Sequence, residues 1–278
     1  MRDWVQRAAS STPMMRGTAV AGCALLASLV GIGQAHAWDM RVCSDPNRLP
    51  FSSESEPGFE NRIADLLAEE LGATVSYIWL PQTSDTTNDY LRTGECDVIM
   101  GVQDGDPGVI STLAYYRSPF VFLYRQDAGF EVNMFDDPDL QNLRIAVQPS
   151  ESPAGDALFR RGLLGQIVAV FDYGLTPIIE AVENKDVDVA VLWGPAAGYF
   201  APMQEDPLVV APVTPEFEPP FIPMFVNITI GVRRGDEALR DDLDRAIASR
   251  WDDILAVLDE FNIPQLELPR PLLTLGTP

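Results

Sequence analysis

The strongest constraint on this chain is an order of patterns that occurs twice: short apolar run, amphipathic stretch, short apolar run. Met40 to Cys43 starts the first series as a strand. From Gly58 to Leu71 the apolar positions Phe59, Ile63, Leu66, Leu67 and Leu71 recur at helical spacing, which predicts a helix stopped by Gly72. Thr74 to Trp79, rich in β-branched and aromatic residues, predicts a strand. Thr86 to Arg92 reads as a short helix ended near Gly94, and Asp97 to Gly101 as a buried strand. The second series starts at Arg144-Ile145-Ala146-Val147. It runs on through helix Pro153 to Arg161, strand Ile167 to Phe171, helix Pro177 to Asn184 and strand Val187 to Leu192. Such alternation builds parallel sheets flanked by helices, because each crossover returns the chain to the same end of the sheet.

Between the two series lie an extended run, Ser118 to Tyr124, and a polar irregular stretch, Arg125 to Asp139. After them, the proline-rich segment Ala211 to Pro223 reads as a loop crossing back. Phe225 to Val232 then reads as a strand, and Asp236 to Ser249 and Trp251 to Glu260 as helices. The expected fold is α/β and two-lobed, each lobe a mostly parallel sheet flanked by helices, with two hinge crossings. Residues 38–124 plus 226–278 would form lobe 1 and residues 125–225 lobe 2. A cleft between such lobes is faced by strand ends and helix N-termini.

Residues 1–37 read as a signal peptide. Arg2, Arg7 and Arg16 precede an uncharged apolar run from Thr18 to Ile32, and Ala35-His36-Ala37 has the small-x-small pattern of a cleavage site. The run is shorter than the ~20 apolar residues that span a bilayer, so membrane insertion is not expected. Val20-Ala21-Gly22-Cys23 resembles a lipidation box and stands as the minor alternative. Cleavage after Ala37 sends a chain of 241 residues to the periplasm and removes three arginines and one aspartate, for a formal charge of −24. That charge argues against nucleic acid and anionic membrane surfaces.

The one histidine, His36, leaves with the signal, which excludes Ser-His-Asp and Cys-His catalysis and histidine-based zinc or copper sites. Cys43 and Cys96 remain. In an oxidising compartment a disulfide is favoured for them over two buried thiols.

Particular segments then point to a family. The order of elements, with Arg41-Val42-Cys43-Ser44-Asp45-Pro46, Pro50-Phe51-Ser52 and Gly58-Phe59-Glu60, resembles the type II periplasmic solute-binding proteins over the whole mature chain. Four motifs narrow the likeness: Cys43 to Asn47 with Leu49 to Ser52, Gly94 to Val102, Tyr115 to Ser118, and Val191 to Tyr199. In that order and spacing they resemble the binding-protein-like accessory (J) proteins of quinoprotein methanol and alcohol dehydrogenase systems. The resemblance implies a periplasmic accessory role, with a quinoprotein methanol or alcohol dehydrogenase as partner. It also implies that pyrroloquinoline quinone (PQQ) and a metal ion, of the calcium or lanthanide kind, are carried by that partner and no cofactor by this chain.

Amino-acid-binding members of the larger family clamp the ligand carboxylate with an arginine after the third strand, a planar guanidinium matching a carboxylate bidentately. Here Val102 to Leu113 contains no basic residue and holds Asp104 and Asp106, so an anionic ligand is disfavoured. Arg117, nearby, reads as structural. Asp45, Asn47, Phe51, Tyr115 and Tyr116 fall at strand ends and are expected to line the lobe 1 side of the cleft. Across it, Ser152 before Pro153 has the pattern of a helix cap and Trp193 can stack on a ligand or on the facing lobe.

No metal site is expected. Asp104, Asp106, Asp136, Asp137 and Asp139 match no EF-hand loop and read as solvated surface acids. Glu60 and Glu151 are the pair that an enzyme on this fold would use, but no enzyme is expected. The alternatives to the accessory role are a transporter's receptor for a small solute in the cleft and, third, such an enzyme.

Overall fold

In the computed structural model, which describes residues 38–81, 84–147, 152–170 and 176–271, the first series folds as its spacing predicts. Strand β1 (Asp39–Ser44), helix α1 (Phe59–Leu71), β2 (Thr74–Trp79), α2 (Ser84–Thr93) and β3 (Val98–Gln103) follow in turn. β1 pairs in parallel with both β2 and β3. α1 buries Phe59, Ile63 and Leu67, and Gly72 ends it at φ 65°, a left-handed conformation that glycine enters without steric cost. A disulfide joins Cys43 of β1 to Cys96, just before β3.

The long strand β4 (Tyr116–Arg125) lies between the series, and the second runs through β5 (Ile145–Val147), α3 (Pro153–Arg160), α4 (Thr176–Glu183), β6 (Val189–Trp193) and α5 (Gly194–Phe200). The chain returns through β7 (Leu208–Pro212) and β8 (Phe225–Val232) to helices α6 (Glu237–Ser249) and α7 (Trp251–Glu260). The strand order is β2-β1-β3-β8-β4-β6-β5, with β7 also on β4. β5 and β6 are parallel, whereas β8 and β4 run antiparallel to their neighbours and to each other.

β4 links the two halves of the sheet. Its residues Tyr116 to Pro119 pair with β8, and Phe120 to Tyr124 pair with β6. The second half is buried on both faces: Phe120, Phe122 and Tyr124 join Leu158 and Val191 on one side, while Val121 and Leu123 join Ile178, Val182 and Leu192 on the other. In the first half, Val42, Ile63, Leu67 and Val98 pack with Ile247 and Leu258 of α6 and α7, so the C-terminal helices share the core of α1.

Several expectations are corrected. Ile167 to Phe171 is not a strand in its described part: a 3-10 turn, Leu163–Gln166, leads to a single parallel bridge from Ile167 to Ile145. β5 is only three residues long and offers no ladder to extend. Part of the stretch read as a loop is strand, since β7 reaches Pro212, and a small hairpin pairs Phe217–Glu218 with Ile222–Pro223. The polar stretch from Arg125 to Asp139 buries Val132 and Phe135. The helix α5 was not anticipated. The signal segment and Glu151 lie outside the described residues. Among the described residues no helix is long and apolar enough to cross a membrane.

Candidate functional site

The carboxyl ends of β1 and β6 come together at the site. After β1, the Asp45 carboxylate accepts from Asn47 N–H at 2.9 Å and the Ser52 hydroxyl donates to Asp45 O at 2.8 Å. These bonds shape a turn, in the way short acidic side chains do, and lead into a hairpin of Asn47–Arg48 with Ser52–Ser53. The hairpin lies directly on the start of α1. Phe59 N–H donates to Pro50 O at 2.9 Å and Glu60 N–H to Phe51 O at 3.0 Å, while Asn61 Oδ1 accepts from Ser53 N–H and Gly58 N–H. A Cβ on Gly58 would lie 2.2 Å from Phe51 O, so only glycine permits this approach. The amides that a helix start leaves open for an anion are thus answered by the chain's own carbonyls.

Phe51 is buried by this docking. Its ring stacks on Trp193 at the end of β6, with centroids 5.6 Å apart and planes 13° apart. Trp193 Nε1 donates to Ser118 O at 3.1 Å, and the indole packs against the cores of both halves of the sheet. The Arg48 guanidinium also lies over the Phe51 ring at 5.0 Å. The aromatic contacts continue from Phe51 to Phe59, from Phe59 to Tyr116 and Phe261, and from Phe261 to a stacked Tyr199 of α5. A Cβ on Gly198 would lie 2.0 Å from Asn262 O, so α5 meets the end of α7 at backbone distance.

Behind this layer sits Glu60, 3 % exposed, with its carboxyl against Gly101. Burial raises its pKa to about 7, the Arg48 charge opposing the shift. The Tyr115 hydroxyl accepts from Gly101 N–H at 3.2 Å, and Tyr116 meets Tyr115 edge-on. Both phenols are pushed well above their ordinary value, first by burial. The Tyr116 hydroxyl is buried with no hydrogen-bond partner among the described residues.

The structure therefore brings Phe51, Glu60, Tyr115, Tyr116 and Trp193 together, with Asp45 in the turn that leads into the hairpin and Asn47 in its first strand. Ser152 caps α3, its Oγ accepting from Ala154 N–H at 3.3 Å. Sequence reasoning missed Arg48, Phe261 and Tyr199 as members, and took Phe59 for a core position only. Tyr199 closes the Val191 to Tyr199 motif, whereas Arg48 and Phe261 lay in none of the four motifs. Arg117 is structural: its Nε donates to Asn227 Oδ1 at 2.7 Å and its guanidinium covers Phe225 at 4.4 Å. In the loop after β3, Asp106 Oδ1 accepts from Gly108 N–H and Asp104 is exposed.

Chemically, this wall offers stacking, the Arg48 guanidinium, one protonatable acid and phenol hydroxyls. No cation stands in the loop after β3 to grip a carboxylate.

Comparison with known proteins agrees with this geometry. The family model of the bacterial extracellular solute-binding proteins, family 3, matches residues 40–254. Protein MoxJ of Paracoccus denitrificans is 30 % identical over 265 residues, covering 88 % of this chain and 95 % of that one. The crystal structure of the periplasmic binding protein XoxJ from Methylobacterium extorquens AM1 shares 33 % identity with a TM-score of 0.69, over 82 % of this chain and all of that one. MxaJ from Methlophaga aminisulfidivorans MPT, 24 % identical with a TM-score of 0.71, covers 82 % of this chain and 100 % of its own and shares the fold.

Proposed function

This chain belongs to the bacterial extracellular solute-binding proteins, family 3, and from that premise we propose that it is a periplasmic, non-enzymatic accessory of a PQQ-dependent methanol or alcohol dehydrogenase. It binds that enzyme and assists its maturation or activation. Residues 38–124 with 226–278 act as one lobe and 125–225 as the other, save that Phe120 to Tyr124 of β4 pack in the cores of the second. The likeness to MoxJ and XoxJ supports the choice of partner class.

The observation that carries the reading is the Phe51–Trp193 stack. Open α/β sheets bind ligands outside the carboxyl ends of their strands, and here the chain's own rings stand at two such ends. The covered start of α1 and the loop without a cation point the same way. PQQ and the metal ion belong to the partner; this chain contributes a shaped protein surface.

The test is titration calorimetry of the mature chain against purified dehydrogenase, in its complete and cofactor-free forms. Saturable binding of either form supports the reading, and no binding of either overturns it. A receptor for a small solute is the competing reading, favoured by the Tyr116 hydroxyl, which has no hydrogen-bond partner among the described residues and lies close to Glu60. A large thermal stabilisation by one small molecule would support that instead, as mass action requires.

A further inference from the structure

Away from the strand-end cluster, the chain exposes a second aromatic group. Phe221, at the tip of the hairpin of Phe217–Glu218 with Ile222–Pro223, is 89 % exposed, and Phe217 in the same hairpin is 51 % exposed. Phe159, near the end of α3, is 63 % exposed, and Met134 is 43 % exposed. Phe221 also holds φ at 127°, a region that a bulky side chain enters only at a cost.

These segments are not frayed ends. Arg160 Nη1 donates to Pro219 O at 2.6 Å, fixing the hairpin to α3. Arg161 donates to the buried Glu218 carboxylate at 2.7 Å and to Asp136 at 2.7 Å, which fixes both to the segment carrying Met134. Thr214 N–H donates to Asn133 O at 2.7 Å and closes the group. Exposed apolar residues held in one arrangement lose little freedom on binding, and aromatic and methionine side chains are the usual anchors of protein interfaces.

We infer that the Phe217–Pro223 hairpin, with Phe159 and Met134, is a docking surface for a folded protein whose contact face is an apolar socket ringed by lysine or arginine. Charge chooses the occupant. Asp156 lies one turn before Phe159 and Glu216 precedes Phe217, both exposed. Arg161 is matched by two carboxylates, and Arg160, bonded to Pro219 O, leaves one exposed cation against the two acids Asp156 and Glu216. A second copy of this chain would bring −24 against −24 once the first 37 residues are removed, and an anionic lipid surface would be repelled likewise. A basic-rimmed protein face is attracted.

This inference rests on the proposed function, since it takes the dehydrogenase as the protein concerned. The experiment measures binding of purified dehydrogenase, complete and cofactor-free, to the wild-type mature chain and to a Phe159→Ser, Phe221→Ser variant. Both side chains are exposed, so the variant keeps its melting temperature. Its affinity should fall by at least about tenfold, as for interface anchors. Wild-type affinity should also weaken as salt screens the rim, and charge reversal by Asp156→Lys with Glu216→Lys should reproduce that loss. If the wild type binds and both variants bind equally well, the docking surface is wrong and the accessory role stands. If the wild type binds neither form, both fall. If sedimentation shows a wild-type dimer that the serine variant abolishes, the occupant is a second copy and the inference is overturned.

Discussion

Trp193 and Phe51 hold each other across the carboxyl ends of β6 and β1, ring centroids 5.6 Å apart and ring planes nearly parallel. Neither ring stands alone. Phe51 is held by the hairpin that covers α1, and Trp193 by its bond to Ser118 O. The pair therefore joins the two halves of the sheet at a point where β4 and β8 already carry the chain between them.

Trp193→Ala removes the stack, the indole hydrogen bond and packing against two cores. It should destabilise the chain by about 2–4 kcal/mol in urea denaturation. Trp193→Phe keeps a ring on Phe51 and loses the bond, at about 1 kcal/mol. Equal effects of the two substitutions would show that the stack contributes nothing.

Glu60 sets a pH dependence of known sign. Its folded pKa, about 7, lies above the ordinary value of 4.5, so the folded state holds the proton more tightly than the unfolded one. The stability tied to that proton is complete below about pH 4.5 and is lost as pH rises through 7, a few kcal/mol in all. Glu60→Gln, neutral at every pH, should lack this loss. Denaturation of wild type and variant at pH 5 and pH 8 tests it: their stability difference must shift in favour of the variant at pH 8.

Removing the Cys43–Cys96 bond, by reduction or by Cys43→Ala with Cys96→Ala, frees a loop with a sequence separation of 53 residues. The chain-entropy model puts the cost at about 4 kcal/mol. A chemical denaturation midpoint unmoved by reductant would show that the bond does not form.

Arg161→Met leaves the Glu218 carboxylate, 3 % exposed, without its cation. Stripping one partner from a buried pair costs about 3–5 kcal/mol. Because Arg161 also ties the hairpin to Asp136, the hairpin amides should lose hydrogen-exchange protection more than those of β1. Uniform loss of protection would argue against a local tether.

The first series was legible because its signals are redundant: α1 has helical spacing, a buried face and a glycine stop, β1 and β3 are short apolar runs that fit a buried sheet, and β2 is a β-branched and aromatic run at the sheet edge. Strand-end logic also picked out Phe51, Tyr115, Tyr116 and Trp193. It did not see Tyr199, whose helix α5 was not anticipated, or Phe261, which lies one residue past α7 and carries no strand-end signal. Prolines hid β7 and the hairpin, because they signal broken ladders even when they sit at the edges of real ones. Ile167 misled for the opposite reason, an apolar run whose partner strand is too short. Glu60's burial depends on the approach of Gly101 across the sheet, which no local pattern encodes.

The run of rings from Trp193 through Phe51, Phe59 and Phe261 to Tyr199 has a consequence for motion. Hinged receptors work by opening and closing on the microsecond-to-millisecond scale. Here opening would unstack Trp193 from Phe51 and Tyr199 from Phe261 together, exposing several aromatic faces to water at about 25 cal/mol per Å². A latch of that kind sets a free-energy cost on opening and so favours one fixed shape over an ensemble of open and closed forms.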